Sequence, residues 1–234
     1  MLPLRDENPT RRFPVVNLTL IAINVLVFIY ELTLSSGQLE AFFLRWAVVP
    51  ARVVYDFTPG TALTLITSMF MHGSLLHILG NMLYLFIFGD NIEDVVGHVR
   101  YLIVYVVAGV GASLAQIAVA PDSPIPALGA SGAIAGVLGA YLVFFPYARV
   151  QYLVAIGFFV RFIEMPAVVA LGGWFVLQFF SGLLSLASVQ SGGVAWFAHI
   201  GGFIIGILVG LGCKAMGCRV RRPALPLYDQ YLYR

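Results

Sequence analysis

Ser131, His199, His77 and Asn81 are the residues whose types and settings could carry acyl-transfer chemistry. Ser131 lies in Gly129-Ala130-Ser131-Gly132-Ala133-Ile134-Ala135-Gly136, at the mouth of a small-residue apolar helix. A serine hydroxyl becomes a nucleophile only when a base stands within hydrogen-bond reach. His199, in Ala198-His199-Ile200-Gly201-Gly202, is the best candidate base, because an imidazole takes and returns a proton near neutral pH. His77 and Asn81 are four apart on one helical face, and both can donate hydrogen bonds. Together with the Ser131 backbone N–H at a helix N-terminus, they could bind an oxyanion. Each of these residues also has a plainer reading. Ser131, Ala135, Gly139 and Gly132, Gly136, Ala140 recur every four residues. Such stripes let helices pack closely in membranes, and taken alone Ser131 is one more small residue in that seam. His199, His77 and Asn81 could simply bond neighbouring helices.

The surroundings decide which elements would position these groups. The chain has 234 residues, of which 60% are hydrophobic and 10% charged. A soluble domain cannot hide that much apolar surface, so the chain reads as spans of about 20 apolar residues each. Six runs stand out, at residues 15–34, 63–88, 101–119, 131–146, 165–186 and 196–216. The first is longer than the apolar region of a signal peptide and no small-residue cleavage site follows, so a retained span is expected. Residues 35–59, with Arg45, Trp46 and Arg52, are expected at the membrane interface. Residues 89–100 form a polar break with Asp90, Glu93, Asp94 and His98, and Pro121, Pro124 and Pro126 keep the next loop from being helical. Residues 150–160, bracketed by Arg149 and Arg161, are too short to span and are assigned to the interface. The expected organisation is a cytoplasmic segment at 1–14, a six-span membrane domain at 15–216 and a cytoplasmic basic tail at 217–234.

The fourth run is the informative one. Its residues 131–146 would reach about 24 Å as a helix, against a hydrocarbon core of about 30 Å. Ser131 therefore sits below one surface, and the loop before it must dip into the membrane under cover of protein or a wet cavity. Six spans put both termini on one side, together with Arg5, Arg11, Arg12, Arg100, Arg149, Arg161, Lys214, Arg219, Arg221, Arg222 and Arg234. Only Arg45 and Arg52 of the 13 basic residues fall on the other. The bias makes the terminus side cytoplasmic. Runs two, four and six then all enter from the outer side, which places His77, Asn81, Ser131 and His199 in one leaflet. His72 and Glu31 read as interfacial, and Asp90, Glu93 and Asp94 lie at the wrong end to orient His199. A Ser–His dyad is the expected machinery. The two cysteines, Cys213 and Cys218, make no zinc pattern and are expected to be free thiols. No basic stripe points to nucleic acid. A transporter is disfavoured, since there is no inverted repeat and no carboxylate within the central runs.

In this combination the chain resembles the rhomboid family of intramembrane serine proteases. Gly129-Ala130-Ser131-Gly132 is similar to the family's GxSG, Ala198-His199-Ile200-Gly201-Gly202 to its histidine motif, and the stretch from His72 to Asn81 to its second-helix region. Glu93 falls where the family has a structural acidic residue. The resemblance implies an all-α polytopic membrane protein, a six-helix bundle with a short central fourth helix. It implies Ser131 as nucleophile, His199 as general base and then acid, and His77, Asn81 and the Ser131 amide as the oxyanion site. It further implies transmembrane proteins as substrates, a bilayer setting in a cell membrane with both termini cytoplasmic, and chemistry without metal or cofactor. Trp174 and Phe175, with the loop at 188–194, are placed by analogy at the substrate gate and cap. A catalytically silent relative that binds membrane proteins is the alternative. The sequence departs from some members at Ala135, where they carry a tyrosine that stacks on the base, so something else must hold His199. Arg45-Trp46 is reversed and upstream of the family's Trp-Arg pair and is not equated with it. Oligomeric state is left open.

Overall fold

A computed structural model describes residues 2–156, 159–187 and 195–220. The loop at 188–194 and the tail beyond 220 lie outside them. Among the described residues, α1 (Val15–Glu31), α2 (Ser36–Trp46), α3 (Pro50–Tyr55), α4 (Pro59–Thr67), α5 (Leu75–Val96), α6 (His98–Val119), α7 (Ser131–Phe144), α8 (Ala167–Ala187) and α9 (Trp196–Ala215) dominate the fold. The protein is a mostly helical, polytopic bundle. α5, α6, α8 and α9 contain stretches long and apolar enough to cross a membrane, while α1 and α7 are apolar but shorter. Large apolar side chains such as Leu26, Leu76, Phe86, Leu177 and Leu208 are exposed on the helices, as lipid-facing surfaces require.

α7 is the axis of the bundle. Every residue from Gly132 to Tyr141 is buried, whereas the apolar helices around it each keep an exposed side. Its small residues let α9 approach until backbones touch. A Cβ on Gly202 would overlap the Gly132 carbonyl oxygen, one on Gly206 the Gly136 carbonyl oxygen, and one on Gly210 would lie 3.2 Å from the Ala140 Cα. The partners advance together by four residues on each helix, so α7 and α9 run parallel and begin at the same end. α6 closes the third side, with Ala108 and Ala112 against Gly136 and Gly132 and Ala115 against Gly201.

Two expected breaks are placed differently. The run at 63–88 is not one helix. α4 ends at Thr67, a 3₁₀ turn covers Ser68–Phe70, and α5 starts only at Leu75, where the Ser74 hydroxyl caps the His77 N–H at 3.2 Å. The supposed polar break at 89–100 is mostly helix, and only Gly97, with φ +85°, separates α5 from α6. Its polar groups are used inside the bundle. Glu93 is fully buried and accepts the Val16 and Asn17 N–H groups at 2.9 and 2.7 Å. It thereby caps α1, whose preceding Pro14 offers no side-chain cap. Asn17 in turn donates to the Leu85 carbonyl and accepts from the Tyr101 hydroxyl, tying α1, α5 and α6 together.

The described residues of the segment expected at the interface, 150–156 and 159–160, are strand. β1 (Leu2–Asp6), β2 (Arg149–Ile156) and β3 (Phe159–Pro166) form an antiparallel sheet in that order, with Gln151 opposite Glu164 and Val154 opposite Arg161. Val150 and Tyr152 point into the bundle while Arg149 is exposed, the period-two alternation of a half-buried strand. Asp6 anchors the edge strand: one carboxylate oxygen accepts from Tyr141 Oη at 2.6 Å and from the Asn8 and Asn91 amides at 3.0 Å each. The sheet therefore sits at the end of α7 opposite Ser131. Asp6 lies outside the spans, and burial pushes its carboxyl above the ordinary value.

Candidate active site

The loop before α7 is held from three sides. Ala127 forms a bridge with Val48, the Ala51 N–H donates to the Ser123 carbonyl at 3.1 Å, and the Gly129 N–H to the Ser68 carbonyl at 2.8 Å. These bonds to protein are of the kind that irregular chain at depth needs. Gly129 has φ +124°, and a Cβ there would lie 2.7 Å from the His77 ring, so only glycine lets the chain turn into α7 beneath that imidazole. Ser131 follows as the first residue of α7. Its N–H belongs to the first turn, which the helix itself cannot satisfy.

The parallel seam puts His199, on the first turn of α9, level with Ser131. The His199 Nε2 and Ser131 Oγ lie 2.8 Å apart, a hydrogen bond between residues 68 positions apart in the chain. The other ring nitrogen, Nδ1, faces Gln178 Oε1 at 3.3 Å. With a proton on Nδ1 donated to that oxygen, Nε2 is free to accept from the serine hydroxyl. His199 and Gln178 are both buried. Trp174, one turn before Gln178 on α8, lies with its ring 5.9 Å from the imidazole, and Trp196 stands edge-on at 6.5 Å. These are the groups that hold the histidine where Ala135 offers nothing. Sequence reasoning missed Gln178, although it is the one amide in the run at 165–186 and sits four residues after Trp174. Phe175 stacks on Phe203 at 4.9 Å and joins α8 to α9.

His77 and Asn81 line the same cavity as Ser131 and His199, a space of about 1260 Å³ that also reaches Trp174 and Gln178. The Asn81 amide nitrogen is 2.9 Å from His72 Nε2, and the His72 and His77 rings meet edge to face at 5.0 Å. His72, read as interfacial, is packed inside the protein. It is 1% exposed, and its backbone N–H is held by the Glu31 carboxylate at 3.3 Å. Glu31, also expected at the interface, is likewise buried. Both belong to the support behind Asn81. Asp90, Glu93 and Asp94 lie toward the far end of α5, away from His199, as the sequence reading expected.

The rhomboid domain family model matches residues 59–215, two-thirds of the chain, from α4 to the end of α9 and across the whole site. The chain belongs to the rhomboid family. Among its relatives, rhomboid protease GluP of Bacillus subtilis (strain 168) is 38% identical over 93 residues, 40% of this chain and 18% of that protein. RHOMBOID-like protein 5 of Arabidopsis thaliana is 37% identical over 78 residues, 33% of this chain and 25% of that protein. Inactive rhomboid protein 1 of Drosophila melanogaster is 28% identical over 96 residues, 41% of this chain and 7% of that protein. The matches thus span a quarter or less of these three relatives. The rhomboid family holds both proteases and inactive members, so family membership alone leaves the activity of this rhomboid to its site.

Proposed function

We propose that this rhomboid is an intramembrane serine endopeptidase that hydrolyses peptide bonds in or near transmembrane segments of other membrane proteins. The observation that carries the reading is the 2.8 Å bond between His199 Nε2 and Ser131 Oγ inside a cavity that also holds His77 and Asn81. In the proposed reaction Ser131 Oγ attacks the substrate carbonyl carbon as its proton passes to His199 Nε2. The oxyanion is received by the Ser131 N–H, His77 and Asn81, the last held in place by His72. His199 then returns the proton to the leaving amine, which frees the acyl-enzyme. Water, deprotonated by the same nitrogen, releases the acid and restores the serine. A substrate helix must unwind before its carbonyl can be attacked, so segments with weak helix formers are preferred. Trp174 and Phe175 lie on α8, the helix through whose movement substrates would enter.

The same geometry supports a reading of the setting. Arg5, Arg149 and Arg161 on the sheet, Arg100 at the start of α6, and Lys214 and Arg219 at the end of α9 all lie away from Ser131, while Arg45 and Arg52 lie on α2 and α3, at the end where Val48 and Ala51 bond the loop before α7. This supports a six-span domain at 15–216 in a cell membrane, with the segment at 1–14 and the tail at 217–234 cytoplasmic and the site toward the outer face. The existence of an inactive relative favours a second reading, a silent binding factor, but the intact Ser131–His199 bond weighs against it. Labelling of the purified protein by a fluorophosphonate separates the two. Wild type is expected to label, and Ser131→Ala and His199→Ala to lose the label. A folded wild type that does not label, and does not cleave transmembrane segments in liposomes, would support the silent reading.

Gln178 is assigned the role of positioning the base. Gln178→Leu is expected to lower kcat roughly tenfold with KM little changed, the worth of one hydrogen bond near 1.4 kcal/mol. Gln178→Glu, which keeps an acceptor at the same place, is expected to retain most activity. Equal loss in both variants, or a change confined to KM, would remove the positioning role.

A further inference from the structure

We propose that Cys213 and Cys218 form a reversible thiol–disulfide site at the C-terminal cap of α9, oxidised by hydroperoxides. They are the two cysteines of the chain, both free and both buried. They lie fourteen or more residues beyond His199, about 21 Å along the helix, and so stand apart from the catalytic cavity.

The helix ending creates the pairing. Gly217 takes φ +89°, its N–H donates to the Lys214 carbonyl at 3.1 Å, and the Cys218 N–H donates to the Cys213 carbonyl at 2.9 Å. These two bonds define a Schellman motif, in which the side chains at the outer pair of positions meet over the helix end. That contact is ordinarily made by two apolar side chains. Here those two positions hold thiols, both buried at the helix end. A main-chain hydrogen bond between the same two residues holds their Cα atoms close, as a disulfide requires. The second observation is Arg100, at the start of α6, whose Nη1 donates to Cys218 Sγ at 3.5 Å. A guanidinium there stands beside the leaving oxygen, on which negative charge builds as the O–O bond breaks.

The chemistry balances in two steps. Cys218 Sγ attacks the distal oxygen of the hydroperoxide, breaking the O–O bond and leaving a sulfenic acid and water or alcohol. Cys213 Sγ then attacks the sulfenic sulfur, the S–S bond forms and water departs. Two thiols are oxidised by two electrons and one peroxide is reduced. External dithiol reverses the process.

The test uses the full-length protein and hydrogen peroxide, followed by a mass-shifting maleimide under denaturing conditions. Wild type is expected to pass from two labels to none as a monomer and to regain both with dithiothreitol. Arg100→Gln is expected to slow the loss of label roughly tenfold. Loss of one label only, loss through disulfide-linked dimers, loss that dithiothreitol does not reverse, or an unchanged rate in Arg100→Gln would each overturn the proposal.

Discussion

Cleavage of a transmembrane substrate in liposomes is expected to fall on the order of 10⁴-fold or more in Ser131→Ala, by a similar factor in His199→Ala, and no further in the double variant. The two residues share one hydrogen bond. His199 Nε2 and Ser131 Oγ act on one proton across 2.8 Å, so removing either group stops its transfer and the second removal has nothing left to stop. What remains in all three variants is the background from binding and oxyanion contacts. The thermal midpoints of the variants should stay close to wild type, because neither side chain carries the backbone seam. Losses that multiply in the double variant would mean that the two residues act separately, and the dyad reading would fail. A variant that keeps full turnover would fail it more simply.

The second large effect lies in that seam. Gly206→Val is expected to cost about 3 kcal/mol or more of stability, a fall in Tm of about 6–12 °C, and to reduce turnover about 100-fold. A Cβ at Gly206 meets the carbonyl oxygen, carbonyl carbon and Cα of Gly136, all backbone atoms that cannot swing aside. α9 must move off α7, and His199 moves with it from Ser131. Gly212→Val is the control, since nothing lies within 4 Å of a Cβ at that position. It should fold and cleave like wild type. Equal behaviour of the two variants in thermal unfolding and in cleavage would show that the close approach of α7 and α9 does not hold the site.

Much of the site was legible before any fold was known, because the residues that carry it are out of place in lipid. A serine at the start of a run too short to span, a histidine opening another, and His77 with Asn81 on one helical face are each costly in a bilayer. The four-residue spacing of small residues also marked the fourth run as a helix that packs closely. Residues 150–160 were harder. The alternation around Val150 and Tyr152 is brief, and in so apolar a chain it does not stand out from the spans. Helix ends were misjudged for a different reason. Asp90, Asn91 and Glu93 look like a polar break, but their partners, Asn17 and Asp6 among them, are remote in sequence, and those partners let the helix continue through them.

The sequence by itself determined that this is a polytopic membrane protein of the rhomboid kind and which polar side chains stand within its apolar runs, because apolar run length and intramembrane polarity are local properties. Only the tertiary structure decided how those side chains are held. Gln178 reaches His199, His72 reaches Asn81, Glu31 reaches His72, Arg100 reaches Cys218, and the Cys218 N–H bonds the Cys213 carbonyl. Most of these contacts join groups on different elements, and the cysteine pair depends on a single left-handed glycine at a helix end. A hydrogen bond of about 3 Å depends on the relative placement of two backbones, which packing fixes and composition does not.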